Sequence, residues 1–334
     1  MMNTQPLVTI SVPLFKCEEF LKKCLDSIRV QTYPNIEVTL INDQTPDNSV
    51  AIAEKYIEKH GLTNWRIYHL DKNSGLSVVR NRGIDTAQGK YLFFLDSDDV
   101  ITADCIEKLV KISEETGAEM TIAQLECEQL ETGERSICIK IESEKKIITG
   151  NAQILADFAD GQLVTYAVNK LMRLDVIRHH QLAFVPGLFA QDELWTFHLM
   201  LKLEKIAICH EITYTYFLHK KSVIHNRNRR HFENWATITE HFHKALLAEK
   251  KSQNAVFIRT HLVNYKSMTL IMNWKAQQSD SEWLYSFKRY KQTAGLRLQD
   301  YFSTQYSAAT KKKALKLMLP AALALRLFKF QYYR

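Results

Sequence analysis

The sequence has little glycine and proline, with 10 and 6 of these residues among 334. No Gly-x-Gly-x-x-Gly follows the first apolar run, and no Gly-Lys-Ser/Thr closes a phosphate-binding loop. The chain therefore lacks the fingerprints of dinucleotide-binding folds and of P-loop proteins. If it binds phosphate, a metal must hold that phosphate in place of such a loop of backbone amides.

Long apolar runs and paired cysteines are also missing. No stretch reaches about 18 uninterrupted apolar residues, so no membrane span is predicted. Met1–Pro6 has neither the basic nor the apolar region of a signal peptide. The six cysteines show no Cys-x-x-Cys spacing, and we expect most of them to be buried thiols in a reducing compartment. These absences predict a cytoplasmic protein.

Charge is unevenly divided along the chain. From Glu211 onward there are 22 Lys and Arg against 7 Asp and Glu, whereas the first 210 residues hold 22 against 30. A basic tail on an acidic body indicates attraction to an anionic surface. Nucleic acid and anionic lipid are the two candidate partners.

Short apolar strands alternate with amphipathic helices in the first part of the chain. The predicted strands are Leu7–Pro13, Glu37–Asp43, Arg66–Leu70, Lys90–Leu95 and Glu119–Ala123, with a helix between each pair. This alternation predicts an α/β fold with a mainly parallel sheet covered by helices on both faces. The chain is long enough for a further helical region after it.

The stretch Lys90–Asp99 combines a buried strand with three carboxylates at its end. Crowded carboxylates repel one another unless a cation or bound donors offset them. Asp96 and Asp98 lie two apart on an extended chain, so both can converge on one hard cation. The alternative is an Asp/Ser-rich turn that caps the helix from Thr102, and the Asp-x-Asp pattern alone does not decide between them.

Three predicted strands should end at the same edge of the sheet, at Pro13, Asp43 and Asp96. Ligands of open α/β sheets bind outside the carboxyl ends of the strands. A ligand at this edge would meet Asp43, Asp96 and Asp98 together. The pattern therefore predicts a divalent metal that holds a phosphate-bearing substrate.

Six motifs in this half of the chain closely resemble, in order and spacing, those of the family 2 inverting glycosyltransferases of the GT-A fold. They are Val12–Leu21, Gln31–Glu37, Asp43–Ser49, Asn73–Gly75, Val79–Gly83 and Asp96–Asp99. The resemblance covers roughly the first 125 residues and implies a nucleotide-diphospho-sugar donor, commonly a UDP-sugar, across the ends of the first strands.

The resemblance also implies roles for individual residues. It places these residues around the donor: Pro13, Phe15, Glu18, Asp43, Arg80, Asp96, Ser97, Asp98 and Lys220. Asp43 matches the acid that hydrogen-bonds the base, and Asp96 the acid near the ribose and metal. Asp98 matches the direct ligand of Mn²⁺ or Mg²⁺. Arg80 matches an arginine near the donor, or it braces a helix against the acids.

The chain departs from the family pattern at three places. Lys16 stands where Asn is usual, Asn42 where a first Asp is common, and Gln44-Thr45-Pro46 where Gly-Ser-Thr is frequent. These departures concern contacts to the base more than the fold.

The catalytic base is expected in the second half of the chain, where Asn169–Arg173 and Phe189–Trp195 continue the resemblance. Gln191 stands where the family motif has Glu, which leaves Asp192 at the base position. Glu193 lies about 100° further around the helix, so only one of the two acids can face the site. Asp192 is the predicted base, and an ordinary helix N-terminus rich in acids is the alternative.

Tyr214–Ser222 is predicted to be a strand followed by a basic turn, at a family position near the diphosphate. His219 could complete the metal shell and Lys220 could neutralise phosphate, or the turn is simply solvated. No Gln-x-x-Arg-Trp motif is present, which argues against a processive synthase with a membrane channel.

The last hundred residues are predicted to be helical and basic. Lys311–Pro320 and Ala321–Tyr333 combine lysines with an apolar face, which fits either a membrane interface or a helix packed on the body. The predicted domains are 1–225, divided into a nucleotide-binding half 1–125 and an acceptor half 126–225, and a helical region 226–334. The resulting hypothesis is a metal-dependent hexosyltransferase for lipopolysaccharide, lipooligosaccharide or capsule, in peripheral contact with the membrane. The alternatives are a basic-tailed nucleic-acid-binding protein and a sugar-nucleotide-binding protein without transferase activity.

Overall fold

The structure is a computed structural model that describes residues 5–137, 139–218 and 229–332. Strands and helices alternate in its first part: β1 (Val8–Leu14), α1 (Leu21–Arg29), β2 (Ile36–Asn42), α2 (Ser49–His60), β3 (Trp65–His69), α3 (Leu76–Thr86), β4 (Tyr91–Phe94), β5 (Val100–Ile101), α4 (Cys105–Thr116) and β6 (Met120–Gln129). These bounds confirm the predicted alternation to within a few residues.

The next part holds shorter elements. They are β7 (Arg135–Ser136), β8 (Ile147–Thr149), α5 (Asn151–Ala159), β9 (Lys170–Arg173), α6 (Leu174–His179), α7 (Gln191–Met200) and the long β10 (Lys205–Leu218). The chain then becomes helical: α8 (Arg229–Ala248), α9 (Ser252–Gln277), α10 (Asp280–Tyr290), a 3₁₀ turn (Leu298–Tyr301), α11 (Ala308–Met318) and α12 (Ala321–Tyr332).

One mixed sheet carries the fold, in the order β3-β2-β1-β4-β9-β6-β10-β5, with β7 beside β6 and β8 beside β10. The strands β3, β2, β1 and β4 are parallel, and β10 is parallel to β6. The short β9 lies antiparallel between β4 and β6. The predicted α/β class with a mainly parallel sheet is confirmed. The sequence did not indicate the short strands β5, β7, β8 and β9.

The strand order reverses between β1 and β4. The chain moves outward from β1 to β3 and then returns to the other side of β1, so successive crossovers pass on opposite faces of the sheet. This reversal leaves a crevice at the carboxyl ends of β1 and β4, where Leu14 and Phe94 are the last strand residues.

The described residues form two compact units. Strands β1–β10 belong to the first unit, while Leu155–Gln162 groups with the helices from α8 onward in the second. In the second unit Asn264 Nδ2 donates to the Ala159 carbonyl at 2.8 Å, and Phe158 stacks on His261 with ring centroids 4.7 Å apart. The predicted division at residue 225 remains a prediction.

The core of the second unit is aromatic. Trp274, Trp283 and Phe287 pack with Ala324 and Leu325 of α12, so the terminal helix is part of this core. Within the described ranges, no helix has the length and apolar character needed to cross a membrane.

Cysteine chemistry follows the prediction in part. Cys17, Cys24, Cys105 and Cys209 are buried and free. Cys127 is disulfide-bonded, which the cysteine spacing did not indicate.

Candidate active site

Two loops at the carboxyl ends of β1 and β2 form one side of the crevice. The Lys16 amide donates to Thr45 Oγ1 at 2.8 Å, and Glu18 Oε2 accepts from the Asn48 amide at 3.0 Å. Asp47 accepts from the Glu18 amide and from Ser49 Oγ. Burial acts to raise the pKa of Asp47, but these bonds outweigh it and lower that pKa to about 2. Glu18 and Asp47 thus fix the two loops to one another.

Two of the departures from the family pattern fall at left-handed backbone positions. Lys16 has φ +51° and Gln44 has φ +53°. Asn and Gly, the usual family residues at these places, are the residue types that adopt this conformation most readily. The chain therefore keeps the loop conformation while using less favourable side chains.

Asp43 is buried, with 3% of its surface exposed. Its carboxylate accepts from the Ser74 amide at 2.6 Å and the Gly75 amide at 2.9 Å, and Gly75 has φ +85° just before α3. Asp43 thus holds the loop that leads into α3. Its predicted contact to a nucleotide base stays a prediction, as does a base contact from the half-exposed Phe15 and the neighbouring Pro13.

The acidic loop after β4 is anchored from below by Tyr214 of β10. The buried Asp99 accepts from Tyr214 Oη at 2.6 Å and from the Phe217 amide at 3.0 Å. The Asp96 amide donates to the same Tyr214 oxygen at 3.3 Å. Burial, and after it the charges of Asp98 and Asp96, raises the pKa of Asp99 well above its usual value. Asp99 is therefore an anchor of the loop, while Asp96 and Asp98 remain partly exposed.

Arg80 joins the two halves of the site. From the interior of α3 its Nη2 lies 3.1 Å from Asp96 Oδ1, and its Nη1 contacts Asp192 Oδ1 at the start of α7. The guanidinium lies 5.8 Å and 5.5 Å from the ring centroids of Phe94 and Phe184. Burial lowers the pKa of Arg80, but the charges of Asp192 and Asp96 outweigh it, so the pKa is raised overall. Both interpretations of Arg80, near the donor acids and bracing α3, fit this position.

Burial raises the pKa of Asp96 to about 6, although the Arg80 charge opposes this rise. The neighbouring carboxylates of Asp98 and Asp192 raise it further. Negative charge in this pocket is therefore only partly balanced by the guanidinium.

Asp192 and Glu193 lie in different surroundings, as expected for adjacent residues on a helix. Asp192 Oδ2 accepts from the Ala167 amide at 3.0 Å, opposite its contact with Arg80. Burial raises the pKa of Glu193 to about 7, with Thr165 as its hydrogen-bond partner. Asp192 is thus the acid that meets Arg80 and Asp96, and its role as base stays a prediction.

Comparison with known proteins identifies the family. The model described as Glycosyl transferase family 2 matches residues 9–180. The chain belongs to glycosyl transferase family 2. The uncharacterized glycosyltransferase YibD of Escherichia coli K12 is 30% identical over 261 residues, which cover 76% of this chain and 73% of YibD. The putative glycosyltransferase EpsH of Bacillus subtilis is 27% identical over 283 residues, which cover 82% of this chain and 79% of EpsH.

Solved structures agree with this family. The crystal structure of residues 1–349 of Staphylococcus aureus TarS in complex with UDP-GlcNAc matches with a TM-score of 0.73 at 16% identity, over 98% of this chain and 93% of that one. The likeness confirms the predicted GT-A fold of this glycosyltransferase.

The acids of this glycosyltransferase fit a hard divalent cation. Asp96, Asp98, Asp99 and Asp192 act on one another electrostatically, and Arg80 forms ion pairs with Asp96 and Asp192. No group of three His, Cys, Asp or Glu side chains suited to a metal occurs among the described residues. Mg²⁺ commonly uses only one or two carboxylates and takes its other ligands from water and substrate phosphates, so Asp96 and Asp98 suffice on the protein side. The third predicted ligand, His219, and Lys220, predicted to neutralise phosphate, lie outside the described residues.

Two buried residues of the motif Asn169–Arg173 make contacts that the sequence did not predict. Asn169, with φ +52°, donates to the Ala123 and Gln124 carbonyls and accepts from Thr213 Oγ1, so it fixes the chain where it enters β9. Lys170 is fully buried and donates to the Val164 carbonyl at 3.3 Å. Burial lowers the pKa of Lys170 to about 7, while the Asp192 and Glu193 charges oppose this. Their place in the motif Asn169–Arg173 marked them, but only the fold shows what they contact.

Proposed function

We propose that this family 2 glycosyltransferase moves a hexose from a UDP-sugar to a hydroxyl of a glycan acceptor, with inversion, during synthesis of a surface polysaccharide such as lipopolysaccharide or capsule. The observation that carries the proposal is the contact of Arg80 with both Asp96 and Asp192. It brings an acid of the predicted donor side next to the predicted base. The UDP-GlcNAc complex of TarS supports the choice of a UDP-sugar.

In the proposed reaction Asp192 acts as general base. The acceptor oxygen attacks the anomeric carbon from the face opposite the diphosphate, its proton passes to Asp192, and the bond to the UDP oxygen breaks. Arg80 donates to Oδ1 of Asp192 and the Ala167 amide donates to Oδ2. Each carboxylate oxygen therefore keeps one lone pair that can accept a proton.

Asp96 and Asp98 would hold Mn²⁺ or Mg²⁺. A bound divalent cation stabilises negative charge that develops on the leaving diphosphate. Ser97 lies between the two acids, and Tyr214 and Asp99 hold the loop in place beneath them.

Two substitutions separate donor binding from chemistry. We expect Asp98→Asn to abolish the metal-dependent rise in melting temperature that UDP produces, and Asp192→Asn to keep that rise but lose hexose transfer. Asp85→Asn, on the exposed side of α3, is the matched control and should change neither. Near-normal turnover by Asp192→Asn would show that another group is the base.

The two alternatives predict different results in the same assays. A sugar-nucleotide-binding protein without transferase activity would bind UDP-sugars with metal but give no product with any acceptor fraction. A nucleic-acid-binding protein would gain stability from oligonucleotides and none from UDP-sugars.

We also propose that the enzyme works on the cytoplasmic face of the membrane, held there by its basic second unit. The charge excess after Glu211 supports this location. The domain limits 1–225 and 226–334 are part of the same proposal.

A further inference from the structure

The second unit contains a cavity of about 270 Å³ that nothing in the proposed reaction uses. It lies among α9, α10, α11 and α12, and its floor is apolar. Leu270, Trp283, Phe287, Leu317 and Phe328 line it. The volume is at the low end for ligand pockets, which start at about 300 Å³, so it suits one slender apolar chain.

The rim of this cavity is cationic. Lys312, Lys313 and Lys316 of α11 line it, and no acidic side chain is among the described residues that do so. Lys313 Nζ donates to Asn264 Oδ1 at 2.8 Å, and Lys316 Nζ contacts Gln331 Oε1. Both partners are neutral amides, so the ammonium charges of Lys313 and Lys316 are not cancelled by these bonds.

The outer surface of α11 and α12 carries large apolar side chains where solvent-facing helices are normally polar. Leu315, Met318, Leu323, Leu327 and Phe330 are between 44% and 64% exposed. Residues 308–332 contain six Lys and Arg and no Asp or Glu. Exposed apolar groups beside lysines are the composition of helices that lie in a membrane interface.

We propose that the cavity takes an acyl chain of an anionic phospholipid of the bilayer, with Lys312, Lys313 and Lys316 on its phosphate and the exposed apolar side chains of α11 and α12 in the interface. An apolar floor beneath a cationic rim complements an amphiphile with a negative head and an apolar tail. The inference rests on the proposed membrane location and assigns the residues that produce it. Cationic side chains near an anionic leaflet strengthen binding severalfold each at moderate salt.

Vesicle flotation tests the cationic rim. Wild-type protein should bind vesicles of phosphatidylcholine with phosphatidylglycerol at least tenfold more tightly than vesicles of phosphatidylcholine alone. The variant Lys312→Gln/Lys313→Gln/Lys316→Gln should lose at least tenfold of that binding. Its matched control is Lys244→Gln/Lys250→Gln/Lys251→Gln, which removes the same charge from exposed lysines elsewhere in this unit. Equal loss in both variants would mean that only net charge matters, and the site would be refuted.

Fluorescence quenching tests whether the chain enters the cavity. Trp283 is 2% exposed and lines the floor, so phosphatidylglycerol brominated along its acyl chain should quench it. Trp283→Phe should remove most of the quenched signal, and Ala309→Phe, placed at the exposed mouth, should reduce quenching without altering charge. Quenching that is unchanged in both variants would overturn the proposal.

Other occupants give distinct results. If inorganic phosphate or an oligonucleotide binds the rim lysines as well as the vesicles do, the ligand is a different one and the proposal is overturned. If the protein self-associates and Phe330→Ser abolishes that association, the occupant is a second copy of the chain and the proposal is likewise overturned.

The transferase proposal is tested separately. UDP-sugar turnover without vesicles should be within twofold of wild type in the triple-lysine variant, and Asp192→Asn should float with vesicles as wild type does. If the wild-type protein does not float with the vesicles although its UDP-sugar turnover is intact, only the lipid site is refuted.

Discussion

Arg80 meets two acids that lie far apart in the sequence, and its shape makes this possible. A guanidinium presents its donors in a planar fork, whereas an ammonium is a point charge on a flexible stem. Nη1 and Nη2 of Arg80 each reach a different carboxylate, on Asp192 and Asp96. The two acids are therefore held at a fixed separation through one buried side chain.

Replacing Arg80 by Lys should preserve the charge and lose that fixed separation. We expect transfer to fall on the order of a hundredfold, the size of effect seen when catalytic groups are misplaced by about 1 Å. We also expect the unfolding free energy to fall by roughly 2 kcal/mol, less than the 3–5 kcal/mol of removing one partner from a buried pair. Steady-state kinetics and urea unfolding measure the two effects.

Arg82→Lys is the control for this variant, since Arg82 is an exposed arginine of the same helix that lies over the Tyr68 ring. It should alter neither quantity appreciably. Unchanged transfer by Arg80→Lys would show that the two contacts seen here are dispensable.

The left-handed backbone at Lys16 gives a second prediction at this scale. Because Asn accepts φ near +51° more readily than Lys does, Lys16→Asn should raise the unfolding free energy by about 0.5–1 kcal/mol. Lys16→Ala, which has the same steric restriction as Lys, should give no such gain. Thermal unfolding of both variants checks this, and equal melting temperatures would contradict the backbone argument.

Single residues were predictable where a motif fixed their place. The order of the motifs assigned Asp96, Arg80 and Asp192 to the same site, and in the structure Arg80 contacts both acids. The tasks of Asp99 and Tyr214 could not be predicted, because their hydrogen bond joins positions 115 residues apart. No local pattern contains such a pairing.

Helix α3 carries Arg80, and Gly83 sets how closely this helix packs on the sheet. Gly83 lets this helix lie close to β1: a Cβ on Gly83 would lie 3.0 Å from the Ser11 Cβ. Gly83→Ala should therefore lower the unfolding free energy by about 1–2 kcal/mol, despite the better helix propensity of Ala. Because α3 would shift, we also expect weaker transfer.

A double-variant cycle identifies the cause of that loss. If the contact with Ser11 is responsible, adding Ser11→Gly to Gly83→Ala should recover part of the stability. Gly295→Ala is the control, since an added Cβ there meets nothing within 4 Å. Additive effects of the two substitutions would rule out the close approach as the reason.

Elements with strong periodicity were predictable, and short or irregular ones were not. Apart from the two-residue β5, the strands and helices from β1 to α4 repeat apolar residues at clear spacing, so their order was evident. Strand β9 has only four residues and lies antiparallel between strands from distant parts of the chain. In β10 the register against β6 shifts near Cys209 and Ile212, which no alternation pattern shows.

At the scale of the whole molecule, acid stability should depend on His261 in the second unit. Burial lowers the pKa of His261 from 6.5 to about 4, so the folded chain excludes a proton that the unfolded chain binds. The stabilisation from the neutral ring is complete above pH 6.5 and is lost as the pH falls towards 4. The loss amounts to about 3 kcal/mol.

His261→Phe removes this dependence while it keeps an aromatic ring against Phe158 and Phe242. Urea unfolding between pH 6.5 and 4 should show a flatter slope for this variant than for wild type. His179→Gln, at an exposed position, should leave the slope as it is. Parallel curves for wild type and His261→Phe would contradict the assignment.

Leu155–Gln162 is translated long before the helices it packs with. Asn264, which donates to the Ala159 carbonyl, comes 105 residues later. Synthesis of those residues takes about 5–20 s at ordinary rates. During that interval Phe158 lacks the His261 ring on which it stacks in the folded protein, whereas strands β1–β8 of the first unit precede it in the chain. A nascent chain in this state exposes apolar surface. We expect chaperones that bind emerging polypeptides to bind it at this segment.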